Sequence, residues 1–386
     1  MNCRFVNLAV RNMTGRGAPF SLYRINSDKL FYPTASMMKT EEGPADPENL
    51  EKARLPKATI SFDWPSQNVQ SGWMNFMSMG SSGNLVVAVD NRGRTMLYDT
   101  DVHTIRSNLP MMCTPIWDPI SVTVGNNLYV MGAPGSAPHM YSFEALIQDK
   151  SVSLKNWYWH CLQPPPFTCP SVEEDPSCYS DSDNEVAEEV KEDPSCYNDL
   201  DDEAVQGVEG SLEICSHTVI GDSQIWISRV GAGTYSFDTE SGTWNKAADW
   251  MLPFRGNAEY VPEYNLWFGF SNNYEQLCAV DLTAVSARRE PVLHMAWNDM
   301  VWPKSWIPTA TYLVPLGFGR FCIAKFFCTL EEKLIKYVSG LNYKHERTSH
   351  FGVLQGVEVE RSKDGLGMVR HKTKRYSFGC DIAKAL

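Results

Sequence analysis

The sequence has no C-x-x-C pair. Its eleven cysteines, an odd number, are scattered along the chain, which argues against a zinc finger, a dithiol redox motif and a disulfide framework. Reduced thiols and a place in the cytosol or nucleus are the expectation. No uninterrupted apolar run of about 18 residues occurs, so no helix is expected to span a membrane. Residues Met1 to Arg11 also lack the long apolar run and small-residue cleavage pattern of a secretory signal. Positive charge is in short supply too, with 34 Lys and Arg against 46 Asp and Glu. The electrostatic footprint of a nucleic-acid binder is missing. No P-loop, G-x-S-x-G or Rossmann glycine pattern appears, and the eight histidines show no H-E-x-x-H spacing. These absences predict a protein without a cofactor, without a metal motif and without catalytic residues.

What is present describes a folded chain, since 43% hydrophobic and 12% aromatic residues can build a core, while 26 Gly and 23 Pro supply turns. One domain, residues 1–386, is expected. The acidity is local: residues 171–210 hold 15 Asp or Glu against one Lys, leaving 33 basic and 31 acidic residues elsewhere. The segment 168–212 therefore reads as a disordered acidic insertion. It contains a duplication, Glu174-Asp-Pro-Ser-Cys-Tyr179 recurring as Glu192-Asp-Pro-Ser-Cys-Tyr197. Ser180 and Ser182, each with an acid three residues on, are candidate phosphorylation sites.

The informative feature is a repeat in which an apolar run follows a turn residue and a second run closes on an acid. It reads Gly83 to Val89 with Leu97-Tyr-Asp99, then Gly125 to Val130 with Tyr141-Ser-Phe-Glu144. It returns as Asp222 to Ile227 with Tyr235-Ser-Phe-Asp238, and as Tyr264 to Phe268 with Ala279-Val-Asp281. The closing acids Asp99, Glu144, Asp238 and Asp281 are 45, 94 and 43 residues apart, and removing the acidic insertion restores a spacing in the forties. That is the period of propeller blades. Further strands are expected at Arg4–Val10, Phe20–Ile25, Lys57–Trp64, Gly319–Phe327, Phe351–Val359 and Gly367–Phe378, with a helical trace only at Leu330–Tyr337. The fold class is then all-β, a single propeller of six blades, with seven as the alternative. The leftover strand Gly367–Phe378 is expected to pair with the N-terminal strand and so close the ring.

One unit, Thr234 to Trp244 followed by Leu252-Pro253, carries a kelch-like signature in which an aromatic precedes the acid and Trp244 follows as a wedge between blades. Arg4-Phe-Val-Asn-Leu8, Arg94-Thr-Met-Leu-Tyr-Asp99 and Gly125 to Met131 extend the likeness over nearly the whole chain. On these residues the sequence resembles a plant, grass-expanded family of kelch-like β-propellers of unknown function, the domain-of-unknown-function 1668 family. The resemblance implies a plant protein and a propeller, and carries no biochemistry.

Two functional classes remain. The first is a non-catalytic, monomeric protein-interaction module or adaptor. Its candidate partner-binding residues are Trp297, Trp302, Lys304 and Trp306, because aromatic anchors carry most binding energy at an interface. Under the bland alternative the same tryptophans are buried wedges, and the repeat acids hold turn amides. The second class is a small-molecule or carbohydrate binder, or an enzyme, using the central pocket of the ring. Polar groups and perturbed acids converging on the channel would favour the second class, an apolar aromatic rim the first.

Overall fold

The computed structural model describes residues 5–12, 19–33, 47–62, 73–80, 83–116, 118–132, 141–149, 156–168, 214–272, 276–285, 289–298, 300–336, 342–362, 365–379 and 382–386. Beyond Thr168 the acidic insertion, with Ser180 and Ser182, lies outside these residues. Among the described residues the fold is all-β, with no α-helix.

The N-terminal region supplies β1 (Phe5–Arg11), β2 (Phe20–Asn26), β3 (Glu51–Ala53) and β4 (Ile60–Phe62). A second unit comprises β5 (Met74–Met79), β6 (Leu85–Asp90), β7 (Thr95–Asp99) and β8 (Thr104–Arg106). A third comprises β9 (Ile120–Val124), β10 (Asn127–Gly132), β11 (Ser142–Asp149) and β12 (Asn156–Cys161). Both are antiparallel meanders in chain order. Their second strands read as continuous apolar runs rather than alternations because both faces are covered: Val86, Val87, Ala88 and Val89 are all buried.

The fourth unit, β13 (Ile214–Ile220), β14 (Gln224–Arg229), β15 (Gly233–Asp238) and β16 (Thr243–Ala248), is followed by the fifth, β17 (Arg255–Val261), β18 (Leu266–Phe270), β19 (Gln276–Asp281) and β20 (Val292–Asn298). Their first strands pair in parallel, with His217 opposite Asn257, and this joins them into one eight-stranded sheet. The Thr218 hydroxyl donates to the Ala258 carbonyl at 2.6 Å across that seam.

The sixth unit is β21 (Ile307–Gly317), β22 (Arg320–Lys336), β23 (Asn342–Ser362) and β24 (Gly365–Gly379), with β3 added in parallel at its outer edge. The helical trace at Leu330–Tyr337 is overturned here. Residues 330–336 are strand, paired in unbroken register with 342–348. The segment Gly367–Phe378 does not reach β1 either. It turns back on its sequence neighbour β23, from Ser362 opposite Gly365 to His350 opposite Gly379, because a hairpin closed by a short turn loses little chain entropy. A different segment completes the first sheet: β25 (Ile382–Ala385) pairs antiparallel with β1, Leu8 opposite Ala385. The first sheet then runs β25-β1-β2-β4.

Successive units share apolar clusters. Ala9 and Leu22 pack with Phe76 and Val86 between units one and two. Val87 and Leu97 meet Leu128 and Leu146 between two and three, and Phe143 meets Phe237 between three and four. Trp226 packs with Trp267 and Val280 between four and five, and Phe268 with Phe321 and Val357 between five and six. A cluster of Val6, Leu8, Cys322, Phe326 and Leu354 joins unit six to unit one. Each fully buried side chain of this kind contributes about 1.5–3 kcal/mol. Tryptophan N–H groups cross the same seams, from Trp159 to the Thr95 hydroxyl (2.9 Å), from Trp244 to the Gln163 carbonyl (2.8 Å) and from Trp267 to the Val219 carbonyl (2.8 Å).

Candidate functional site

The first strands of the units border a cavity of about 1930 Å³. Ser78 follows from β5, Ser121 and Thr123 from β9, His217 from β13, Asn257 and Glu259 from β17, and Thr309 and Thr311 from β21, while unit one contributes Asn7 and Leu386. β5, β9 and β21 are sheet edges, whereas β13 and β17 pair with each other and β1 with β25, and along all of them side chains reach a cavity wall that is neither full core nor bulk water.

Two of the lining side chains are buried without a hydrogen-bonding partner among the described residues at one atom: Asn7, 3% exposed, at Oδ1, and His217, 8% exposed, at Nδ1. Burial pushes the His217 imidazole down to about 4, so at neutral pH it is uncharged and offers one donor and one acceptor. Asn257 and His217 are register partners across the parallel seam, and Asn257 Nδ2 donates to Glu259 Oε1 at 2.6 Å. Enclosure in the cavity wall raises the Glu259 carboxyl above its ordinary range, the amide of Asn257 partly opposing this. Of the basic groups at the wall, Lys384 pairs with Asp118 (3.2 Å) and Arg320 with Glu358 (3.0 Å). Lys325 is buried, its Nζ 5.8 Å from the centre of the Phe270 ring.

Trp302, Lys304 and Trp306 also border the cavity, on the segment that enters β21. Trp306 is buried, edge-on to Phe351 at 4.6 Å between ring centres, with the Arg375 guanidinium 4.7 Å above its ring. Trp302 is half-buried and stacked on Trp306 at 5.9 Å. Lys304 is exposed. Trp297 lies apart from this group, on β20, stacked on Phe268 in the cluster between units five and six.

The repeat acids divide. Asp99, Asp238 and Asp281 each end the third strand of their unit and cap the turn that follows. Asp99 Oδ1 accepts from the Asp101 and Val102 amides (2.9 and 3.2 Å), Asp238 Oδ1 from the Glu240 amide (2.9 Å), and Asp281 Oδ1 from the Thr283 amide and hydroxyl (2.7 and 2.6 Å). The Thr283 bonds hold the Asp281 carboxyl below its ordinary value. Glu144 departs from the pattern. It sits inside β11 opposite Val130, whereas Asp99 and Asp238 lie opposite Leu85 and Gln224, the first residues of their second strands. Its buried carboxylate instead takes the amides of Cys113 (2.9 Å) and Thr114 (2.6 Å) from the loop between units two and three. Trp244 wedges between units, 5.5 Å from Phe143 and 5.0 Å from Phe237. Sequence reading missed His217, Glu259, Asn7 and Asn257. Their one available signal was a polar residue on the first strand of a repeat.

A profile of the family described as "Protein of unknown function (DUF1668)" matches residues 3–376. Comparison with curated proteins finds no match. Among solved structures, the chain is similar to a Bacteroides uniformis protein described as a candidate 6-phosphogluconolactonase, at 9% identity and a TM-score of 0.44, over 99% of this chain and 100% of that one. It is also similar to the β-propeller domain of Cps50 (Swd1) from Myceliophteria thermophila, at 9% identity and a TM-score of 0.34, over 76% of this chain and 83% of that one. At these scores the overlap says nothing about chemistry.

Proposed function

We propose that this chain, which belongs to the DUF1668 family of proteins of unknown function, is a single closed six-bladed β-propeller that binds a polar, hydroxyl-bearing small molecule in its central cavity and does not transform it. The ring is supported by the six units in chain order, by the apolar clusters between each unit and the next, and by the seating of β25 on β1. The binding reading rests on one observation above all, the buried Asn7 Oδ1 and His217 Nδ1 at the cavity wall without partners. Each such atom costs about 1–3 kcal/mol when left unpaired, and a ligand towards whose hydroxyls these side chains turn would remove that cost. A neutral imidazole, two amides and threonine and serine hydroxyls suit a hydroxyl-rich molecule, which also both donates and accepts. Binding without turnover is favoured because no hydroxyl or thiol among the described residues is hydrogen-bonded to His217 Nδ1, so that atom is not paired with a nucleophile there.

A second reading, docking of a protein segment at the mouth, is favoured by Val301, which is 82% exposed beside Trp302 and Lys304. A thermal-shift screen of sugars, polyols and nucleosides separates the two. The cavity reading expects a saturable stabilisation by a hydroxyl-bearing compound that disappears in Asn7→Leu and His217→Leu but survives Trp302→Ala. If no compound distinguishes the wild type from the Asn7→Leu/His217→Leu double variant, the cavity reading fails.

A further inference from the structure

Outside the cavity, among the described residues, one group of side chains has the donor set and spacing of a metal centre. We propose that Cys113, Cys161 and Glu144 form a site for a borderline-soft divalent cation of the zinc type. The two Sγ atoms and a carboxylate oxygen lie within 4.8 Å of one another. A tetrahedral zinc ion holds thiolates at about 2.3 Å and a carboxylate oxygen at about 2.0–2.2 Å, which puts ligand atoms roughly 3.5–3.8 Å apart. Side-chain rotations that move the donors by about 1 Å close the difference.

The backbone already brings the three together. Glu144 and Cys161 are register partners on β11 and β12, so their side chains leave the same face with Cβ atoms about 4.5–5.5 Å apart. Cys113 comes from the loop between units two and three, and Glu144 itself holds that loop through the Cys113 and Thr114 amides. On one side of Cys113, the buried Met112 donates its amide to the Gly93 carbonyl at 2.8 Å. This approach requires glycine: residue 93 has φ +79°, and a Cβ there would lie 2.3 Å from the Met112 carbonyl oxygen. On the other side, Ile116 is buried. The loop is thus fixed on both flanks of the thiol.

Glu144 is 1% exposed and has no basic partner among the described residues. Its Oε1 accepts from the Thr114 amide and, at 3.3 Å, from the Ser142 hydroxyl, Oε2 accepts from the Cys113 amide, and the Cys113 thiol also hydrogen-bonds the carboxylate. A cation would take the place of that thiol proton, between the sulfur and the carboxylate. Cys113 and Cys161 are exposed, which gives an ion from solution its entry and leaves the fourth position to water. Two sulfurs and one oxygen select zinc-like ions over magnesium or calcium. A bound ion would clamp the loop onto the sheet of unit three.

The test uses the full chain, reduced, stripped with a chelator and titrated with Cd²⁺ as a probe, with Zn²⁺ in competition. The expected result is one tight equivalent with the ultraviolet band of two thiolate-to-cadmium bonds, weakened by about tenfold or more in Cys113→Ser and in Cys161→Ser. A measurement without substitutions reads the same claim: Zn²⁺ should protect Cys113 and Cys161, and not Cys215, from alkylation mapped by mass spectrometry. Equal ion affinity in wild type and the Cys113→Ser/Cys161→Ser double variant would overturn the proposal. So would alkylation of both thiols unchanged by zinc, or a Cys113–Cys161 disulfide that persists in protein purified with zinc supplied.

Discussion

At neutral pH His217 is a buried neutral imidazole with one ring nitrogen unpartnered among the described residues, an arrangement that weakens the fold. Its folded-state value, about 4, lies below the ordinary 6.5. As pH falls through 6.5 the unfolded chain therefore takes up a proton that the native state refuses, and stability is lost progressively down to about pH 4. The shift corresponds to roughly 3 kcal/mol at most. Glu259 works in the opposite sense, because a raised carboxyl keeps its proton in the native state and loses stability as pH rises. Comparing wild type with His217→Leu cancels the Glu259 contribution. The expected outcome is a variant at least as stable as wild type at pH 7, with a clearly smaller loss of urea midpoint between pH 7 and pH 4.5. An identical loss in both proteins would mean that His217 is protonated or hydrated in the native state.

Among the elements, what could be read in the sequence was whatever a single repeat states locally. Apolar runs after Gly83, Gly125 and Asp222 are second strands because both of their faces are covered, and Asp99, Asp238 and Asp281 close third strands because a short acid can cap the next turn. Glu144 misled because its acid serves a loop from the preceding unit, a contact that leaves no trace in its own repeat. Leu330-Glu-Glu-Lys-Leu-Ile-Lys336 has the residues of a helix, yet pairing with 342–348 along a long hairpin overrides that preference. The cavity residues were not legible either: His217 and Asn257 come from different units and share a face only through the parallel seam. Trp244 is the opposite case, a residue whose repeat position announces its packing. It is half-buried against Phe143 and Phe237 and donates to the Gln163 carbonyl. Replacing it with Ala should cost roughly 2 kcal/mol, about half the value for a fully buried aromatic. Trp244→Phe should recover most of this, as read by denaturant midpoints.

At the scale of the whole molecule, the ring reading depends on five residues at the C-terminus. β25 takes the inner position of unit one, where Ala383 and Ala385 are buried and the Leu386 amide donates to the Asn7 carbonyl at 2.9 Å. Without it β1 would present an unpaired edge, and unit six would lose Ala383 and Ala385 from the cluster it shares with unit one. In an open stack of sheets that loss would stay local. In a closed ring, every unit depends on both neighbours, so one broken seam weakens the whole cooperative structure. Deleting residues 382–386 is therefore expected to lower the single melting transition by roughly 5 °C or more, without a separate early phase. Geometry also supplies a control. Because β25 runs antiparallel to β1 with Leu8 opposite Ala385, the strand can be moved to the other end of the chain, joined by a short turn ahead of Phe5. That rearranged chain has the same strands and one covalent link changed. If closure is made by where the strand sits, its melting temperature should return to within a few degrees of the wild type. If the rearranged chain melts as low as the truncated one, or the truncation leaves melting unchanged, unit one does not need β25 and the ring is not sealed there.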